Sequence, residues 1–411
     1  MRKRIVAVAI VVIALCSSYL TGFSLGKEKD AFYKELDIFA EALAVIDKKG
    51  AETKDPHQLM YGAMAGLLGS VDSYSEFLTP EEYKDLLTET AGHFGGLGLD
   101  ITTRGGLLTV IAPLEDTPAS RAGIKPGDII VKIEGKLTKG IGASEAVAQL
   151  RGEPGTKITI SVLRDKTKKV EDITLTRAII KIKDITRSVI LEDGIGYAKI
   201  AEFREATAKD LALALAALKQ AGLKGLVLDV RNNPGGLLDS AVEVTSLFLE
   251  DGKTVVSTQS RSEKEFVYKA TSGHDKYLNI PMVILINKGS ASGSEIVAAA
   301  LREHARAILV GETTFGKGSV QSVVPLSDGS ALRLTTATYY TPKGTSIHEK
   351  GVNPDIVVSE EDNKNGKRAQ DVVFDTVEGK KDTFDYKKDV QIVRALDLIR
   401  GLLVLSSADK R

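Results

Sequence analysis

Residues 281–325 read PMVILINKGSASGSEIVAAALREHARAILVGETTFGKGSVQSVVP, from Pro281 to Pro325. Met282 to Ile286 is a continuous apolar run, the pattern of a strand buried on both faces. The small-residue turn Gly289-Ser290-Ala291-Ser292-Gly293-Ser294 follows. Glu295 to Arg306 is predicted helical, because Ile296, Val297, Ala300 and Leu301 are spaced to cover one face. Ala307 to Val310 reads as a second apolar strand, leading into a glycine-rich loop that carries Lys317. A strand that reaches the end of a sheet and turns sharply into a helix is where α/β enzymes display a nucleophile.

Ser292 has two readings. Ser292-Gly293-Ser294-Glu295 fits the S-x-x-E capping box, so Ser292 can serve simply as a helix cap, work that Ser290 and Ser294 can share. The chemical reading puts its hydroxyl beside the unpaired N–H groups of a helix N-terminus, which suit an oxyanion. A serine nucleophile also needs a base, and lysine serves only where burial keeps it neutral near working pH. Lys317 sits in Phe315-Gly316-Lys317-Gly318, which carries no other charge. If a strand follows, Lys317, Ser319 and Gln321 project from one face, and Gln321 can hold the lysine amine by a neutral hydrogen bond. The ordinary fate of a loop lysine is solvation.

Gly289-Ser290-Ala291-Ser292-Gly293-Ser294-Glu295 followed by Gly311-Glu312-Thr313-Thr314-Phe315-Gly316-Lys317-Gly318-Ser319-Val320-Gln321 resembles the core of the carboxy-terminal processing (tail-specific) proteases. These are serine endopeptidases with a Ser–Lys pair. The resemblance covers nearly the whole chain after the N-terminus. It implies Ser292 as nucleophile, Lys317 as general base and Gln321 as the residue orienting the lysine. Ser294 is near enough to remain an alternative nucleophile on the motif alone. Glu303 stands where many relatives have an aspartate, which leaves that carboxylate without an assigned role.

At 411 residues the chain has room for two or three domains, and 43% hydrophobic content is that of a globular protein. Lys+Arg and Asp+Glu balance at 55 each, so global charge offers nothing to nucleic acid. A single cysteine, Cys16, excludes an intrachain disulfide framework. The five histidines show no metal-ligand spacing, and no metal or cofactor is expected.

Met1-Arg2-Lys3-Arg4 precedes the apolar run Ile5 to Cys16, an export pattern. Residues 1–26 are therefore read as a signal peptide or, since no clean cleavage site follows, as a membrane anchor with the body in the periplasm or otherwise outside the cytoplasm. Residues 27–90 read as a helical arm: Tyr33 to Ile46 and Leu59 to Leu68 are apolar-faced, and Thr79-Pro80-Glu81-Glu82 is a helix start. In the resembling family such an arm often helps form a homodimer or higher oligomer; a plain structural arm is the alternative.

Residues 91–175 shift to glycine-rich turns and short β-type runs. Gly96-Leu97-Gly98-Leu99 and Lys125-Pro126-Gly127-Asp128 together resemble a PDZ domain. That implies Gly96, Leu97, Gly98 and Leu99 as the loop receiving a peptide C-terminus, and the strand after it as the one the peptide extends. Arg151 either couples this domain to the protease body or is an exposed helix-end arginine. The charged stretch Arg164 to Asp172 precedes the protease core, drawn at residues 176–360. There Gly194 to Ile200 and Gly225 to Val230 are predicted strands, and Leu211 to Leu218 a helix. Arg231-Asn232-Asn233-Pro234-Gly235-Gly236 is an ordinary turn by composition. The resemblance makes Gly235 or Gly236 one N–H donor of an oxyanion hole, with Gly293 as the other. Residues 361–411 read as a polar linker, Glu361 to Gly366, and a C-terminal helix, Asp389 to Leu405.

Three rival readings fit the sequence less well. Gly311-Glu312-Thr313-Thr314-Phe315-Gly316-Lys317 matches the start of a phosphate-binding P-loop, and Asp229 imitates a strand-end magnesium ligand. However, Gly318 replaces the magnesium-binding hydroxyl, and a strand rather than a helix follows. A non-catalytic PDZ scaffold conflicts with the presence of Ser292, Lys317 and Gln321 together. A Ser-His-Asp hydrolase lacks both the G-x-S-x-G elbow and a placed histidine. The expectation is an α/β protease core of strand–turn–helix units on a mixed sheet, with an inserted PDZ domain and a helical N-terminal arm. Its partners would be polypeptides held by their C-termini.

Overall fold

The structure, a computed structural model, describes residues 33–359 and 384–408, without residues 53, 54, 115, 165, 166, 262–264, 272 and 274 and the side chains of 144 and 406–408. The predicted anchor (1–26) and the linker Glu361 to Gly366 lie outside the described residues. Met1–Phe77 and Leu78–Arg411 form two compact units.

The described part of the first unit holds two helices and, at its end, the start of a short strand, Glu76–Leu78. Helix α1 spans 33–49 and α2 spans Pro56–Gly69. Asp55 caps α2 by accepting the His57 N–H at 3.0 Å, and Pro56 occupies the first turn, where no donor is lost. The predicted apolar face of α1 is largely uncovered: Phe39 and Ile46 are exposed.

The second unit begins with α3 (Pro80–Ala91). Thr79 and Glu82 form the expected capping box, the Glu82 carboxylate taking the Thr79 N–H at 2.8 Å. The helix ends on Gly92 in the left-handed region. Strand β1 (His93–Gly96) leads into a small domain, and its antiparallel partner β7 (Ala178–Lys181) leads out. The domain is therefore an insertion on a two-stranded neck.

Its antiparallel sheet runs β2 (Leu99–Arg104), β3 (Leu107–Pro113), β4 (Ile129–Ile133), β5 (Lys157–Leu163) and β6 (Val170–Thr176) in spatial order. Helix α4 (Ala143–Leu150) packs along β2, the edge strand. Leu97, Leu108, Ile130, Ile160 and Val162 form its core. The charged stretch that precedes the core joins β5 to β6 and falls within the inserted domain, as its drawn limits of 91–175 place it. Arg164 ion-pairs with Asp128 at 2.8 Å within that domain.

The core sheet has spatial order β8 (Ile185–Ile190), β9 (Ile195–Ile200), β10 (Gly225–Asp229), β12 (Met282–Ile286), β13 (Ile308–Gly311) and β16 (Ile356–Val357). Only the β8–β9 pair is antiparallel. Parallel strands need crossover helices, supplied by α5 (Thr207–Gln220), α6 (Leu238–Ser246) and α7 (Gly293–Glu303). The β10 and β12 strands are apolar at nearly every position because both faces are covered. Leu226, Leu228, Ile284 and Ile286 pack against α5–α7. Val227, Val283, Leu285 and Val310 meet Ile392, Leu396 and Ile399 of α8 (Val390–Ala408). Each such burial contributes roughly 1.5–3 kcal/mol. Helix α8, drawn from sequence as part of a separate terminal region, is thus a full layer of the core. A second sheet pairs β11 (Thr254–Ser260) and β14 (Ser319–Pro325) with β15 (Ala331–Tyr340).

Candidate active site

Strand β10 and strand β12 end side by side, and the turns that follow them are stitched together. Asn287 accepts the Asn232 N–H at 2.9 Å and donates its amide to Asn232 Oδ1 at 2.9 Å. Asn233 is fully buried: its amide donates to the Ile200 carbonyl at 3.1 Å, and its Oδ1 accepts the Gly235 N–H at 2.9 Å. Its own carbonyl accepts from the Ala291 N–H at 3.0 Å and the Ser294 hydroxyl at 2.9 Å. The side chains of Asn287 and Asn233 supply what an apolar strand end cannot, directed donors and acceptors for buried backbone.

These bonds sort the three serines. Ser290 and Ser294 are fully buried, and their hydroxyls are spent on the Val230 and Asn233 carbonyls. Ser292 is half-buried and lines an open cleft of about 610 Å³. Its backbone has φ 52° and ψ −112°, outside the common regions for a side-chain-bearing residue. The helix begins at Gly293 rather than at Glu295, and Ser292 and Glu295 form the expected capping box, the Glu295 carboxylate taking the Ser292 N–H at 2.8 Å. The Glu295 N–H also meets the Ser292 carbonyl at 2.9 Å, so the cap does not depend on the hydroxyl that lines the cleft.

Glu295 does far more than cap. Its carboxylate is fully buried and accepts four hydrogen bonds. They come from the N–H groups of Ser292 (2.8 Å), Gly316 (2.8 Å) and Lys317 (2.9 Å) and from the Thr314 hydroxyl (2.5 Å). Phe315 adds an N–H to the Ser290 carbonyl at 3.0 Å. The serine turn and the lysine loop are therefore locked to one another through a single carboxylate. Glu295→Gln replaces one acceptor oxygen by an amide facing N–H donors, and is expected to cost about 3 kcal/mol or more. The measurements are urea unfolding and kcat; an unchanged pair of values would remove this role.

Lys317 is half-buried and lines the same cleft as Ser292. Its carbonyl accepts the Tyr339 hydroxyl. Gln321 and Ser319 line that cleft too, and the Gln321 amide donates to Ser319 Oγ at 2.9 Å. Of the paired glycines, Gly236 lines the cleft, whereas the Gly235 N–H is committed to Asn233. Both have positive φ, and a Cβ on Gly236 would stand 2.1 Å from the Phe203 carbonyl oxygen, so the position admits no side chain. Gly293 follows Ser292 at the first turn of α7. Glu303 is away from the cleft, its carboxylate capping the Lys343 N–H at 2.8 Å.

The base of the glycine turn is an ionic cluster. Asp229, fully buried, pairs with Arg231 at 2.6 Å and accepts the Tyr197 hydroxyl at 2.7 Å; Arg231 reaches Asp389 at 2.9 Å. Burial pushes the Asp229 carboxyl up, but the Arg231 guanidinium outweighs it and holds the group below the usual carboxylate range. Burial, joined by the Asp229 charge, pushes the Tyr197 hydroxyl up. Asp229 is thus engaged in an ion pair, and β14 rather than a helix follows the lysine loop; both features disagree with a phosphate-binding loop. Among the described residues no histidine lines the cleft.

The peptide-loop residues lie together at the start of the inserted domain. Gly96 closes β1, Leu97 is buried, Leu99 opens β2, and Gly98 has φ 73° with Thr117 so close that a Cβ would meet it at 2.4 Å. The Leu97 carbonyl accepts the Ala119 N–H at 3.0 Å and the Gly98 carbonyl the Leu114 N–H at 2.9 Å, so the loop's carbonyls face inward. Arg151 ion-pairs with Asp85 of α3 at 3.0 Å. Sequence reasoning missed Glu295 as a hub and Asp229–Arg231 as a scaffold. A charged residue at the end of a wholly apolar strand was the signal for the second.

The sequence matches Peptidase family S41 over residues 194–358 and a PDZ domain over residues 95–175. The carboxy-terminal-processing protease of Bartonella bacilliformis is 40% identical over 390 residues, 90% of this chain and 89% of that one. The carboxy-terminal processing protease CtpA of Bacillus subtilis is 35% identical, covering 86% and 76%. The carboxyl-terminal-processing protease of Synechocystis is 37% identical, covering 73% and 71%. The chain belongs to peptidase family S41, among the carboxy-terminal processing serine proteases that carry a PDZ domain.

Proposed function

We propose that the protein is an endopeptidase in which Ser292 and Lys317 form a catalytic dyad, cutting polypeptides captured by their C-terminal ends. The observation carrying this reading is that Ser292, Lys317, Gln321 and Gly236 converge on one cleft. Unprotonated Lys317 Nζ takes the Ser292 proton as Oγ attacks the scissile carbonyl, then gives it to the leaving amine; water repeats the cycle on the acyl-enzyme. Gln321, fixed by Ser319, orients the amine. The N–H groups of Gly293 and Gly236 receive the oxyanion, Gly236 being favoured over Gly235 because the latter's N–H is already bonded.

In the PDZ domain, edge strand β2 beside α4 offers a groove for a peptide to join as an added strand. The Gly96–Leu99 loop, with its carbonyls turned inward, presents N–H groups to the terminal carboxylate. The basic and apolar start of the chain supports an exported, membrane-attached body. Among the described residues no helix is long and apolar enough to cross a membrane, and the start lies outside them. Amidating the C-terminus of an unfolded substrate is expected to lower kcat/KM by roughly tenfold or more, since the loop N–H groups lose a charged acceptor. Equal rates with free and amidated ends would contradict capture by the tail.

A further inference from the structure

Helix α3 lies outside both family matches, which begin at residues 95 and 194. Its large apolar side chains are Tyr83, Leu86 and Leu87. With Thr90 they follow the i, i+3, i+4, i+7 spacing of a single helix face. A globular helix ordinarily buries such a face. No residue of α3 is buried, however, and Leu87 is 51% exposed. All four residues instead line the cleft that holds Ser292 and Lys317.

Across the cleft stand Leu237, Leu238, Ile296 and Val320. Ile296 lies one helical turn beyond Ser292, so this apolar space adjoins the reacting hydroxyl. The helix is held firmly from two sides. Arg204 donates to the Glu89 carbonyl at 2.9 Å and ion-pairs with Asp184 at 2.5 Å; Asp85 on another face of α3 meets Arg151. Of the charged residues lining the cleft, Glu202 and Arg204 are paired with each other, and Glu89, Lys317 and Arg333 stand beside them. Burial pushes the Glu202 carboxyl up, Arg204 opposing it.

The geometry points to α3 as a specificity-determining wall of the active site: Tyr83, Leu86 and Leu87 contact an apolar substrate side chain beside the scissile bond. This rests on Ser292 being the nucleophile. The face is apolar, fixed and continuous with the serine, and its uncovered area is removed from water only when a substrate segment fills the cleft. The ligand class is an extended polypeptide with an aliphatic residue flanking the cut. A charged side chain placed against Tyr83, Leu86 and Leu87 gives up water for an apolar face and is disfavoured there.

The test uses two peptides that differ only in that residue, Leu or Glu. Wild-type kcat/KM is expected to favour the Leu peptide by at least tenfold, within the range one apolar pocket supplies. Leu86→Lys/Leu87→Lys is expected to lower the rate on the Leu peptide by at least tenfold and raise it on the Glu peptide. Leu86→Ala/Leu87→Ala, which introduces no charge, is expected to lower the first and spare the second. A Leu/Glu ratio within twofold of wild type in both variants would overturn the inference. Ser292→Ala separates the two levels: if it cleaves as wild type does, the dyad reading fails whatever the ratio. If it is silent while the ratio ignores α3, only the role of α3 fails.

Discussion

Lys317→Ala is expected to lower kcat for peptide hydrolysis by on the order of 10⁴-fold or more, with the fold retained. Two hydrogen bonds of Lys317 use its main chain, its N–H donating to Glu295 and its carbonyl accepting from Tyr339. Alanine keeps both, and the unfolding measurement separates loss of the amine from loss of the fold. Lys317→Arg sharpens the case. Arginine stays protonated at any working pH and offers no base, so it should be as inactive as alanine despite its charge. Circular dichroism and urea unfolding alongside kcat would check both parts. A Lys317→Ala enzyme within tenfold of wild type would remove lysine from the mechanism.

Arg231→Met is expected to be the most destabilising of the substitutions considered, by about 3–5 kcal/mol, because it strands Asp229 as a buried, uncompensated charge. The pH dependence carries the sign. In the native protein the Asp229 carboxyl is held low, so its contribution is present at neutral pH and lost as pH falls through that lowered value. Without the guanidinium, burial dominates and raises the carboxyl. The penalty then falls on the charged form and grows as pH rises. The difference between variant and wild type should thus be larger at pH 7 than at about pH 4, where an ordinary aspartate begins to protonate. A pH-independent difference below about 1 kcal/mol would show that Tyr197 and solvent suffice for Asp229. Since Arg231 also opens the turn that carries Gly236, kcat should fall at pH 7 even where the variant remains folded.

The core strands were legible because parallel strands buried on two faces must be apolar throughout. Met282–Ile286 appears as read, and Gly225–Asp229 within a residue. The helix after Ser292 was legible in type but not in limits, starting at Gly293 and ending at Glu303 instead of spanning 295–306. Its first turn is fixed by Glu295 reaching the lysine loop, a tertiary contact that no local pattern encodes. Ser292 against Ser294 could not be decided from Gly-Ser-Ala-Ser-Gly-Ser, since both are small and polar. Asn233, 61 residues away in sequence, takes the Ser294 hydroxyl and so favours the proposed Ser292. The same asparagine separates Gly235 from Gly236. Helix α8 was recognised as a helix but not as a layer of the core, because its partner strands lie far back in the chain.

The dyad is tested most directly by following cleavage of an unfolded protein with an apolar free C-terminus by three purified forms: wild type, Ser292→Ala and Lys317→Ala. The expected result is cleavage by the wild type alone, with all three forms equally folded. Cleavage by Ser292→Ala at the wild-type rate would contradict the assignment of the nucleophile.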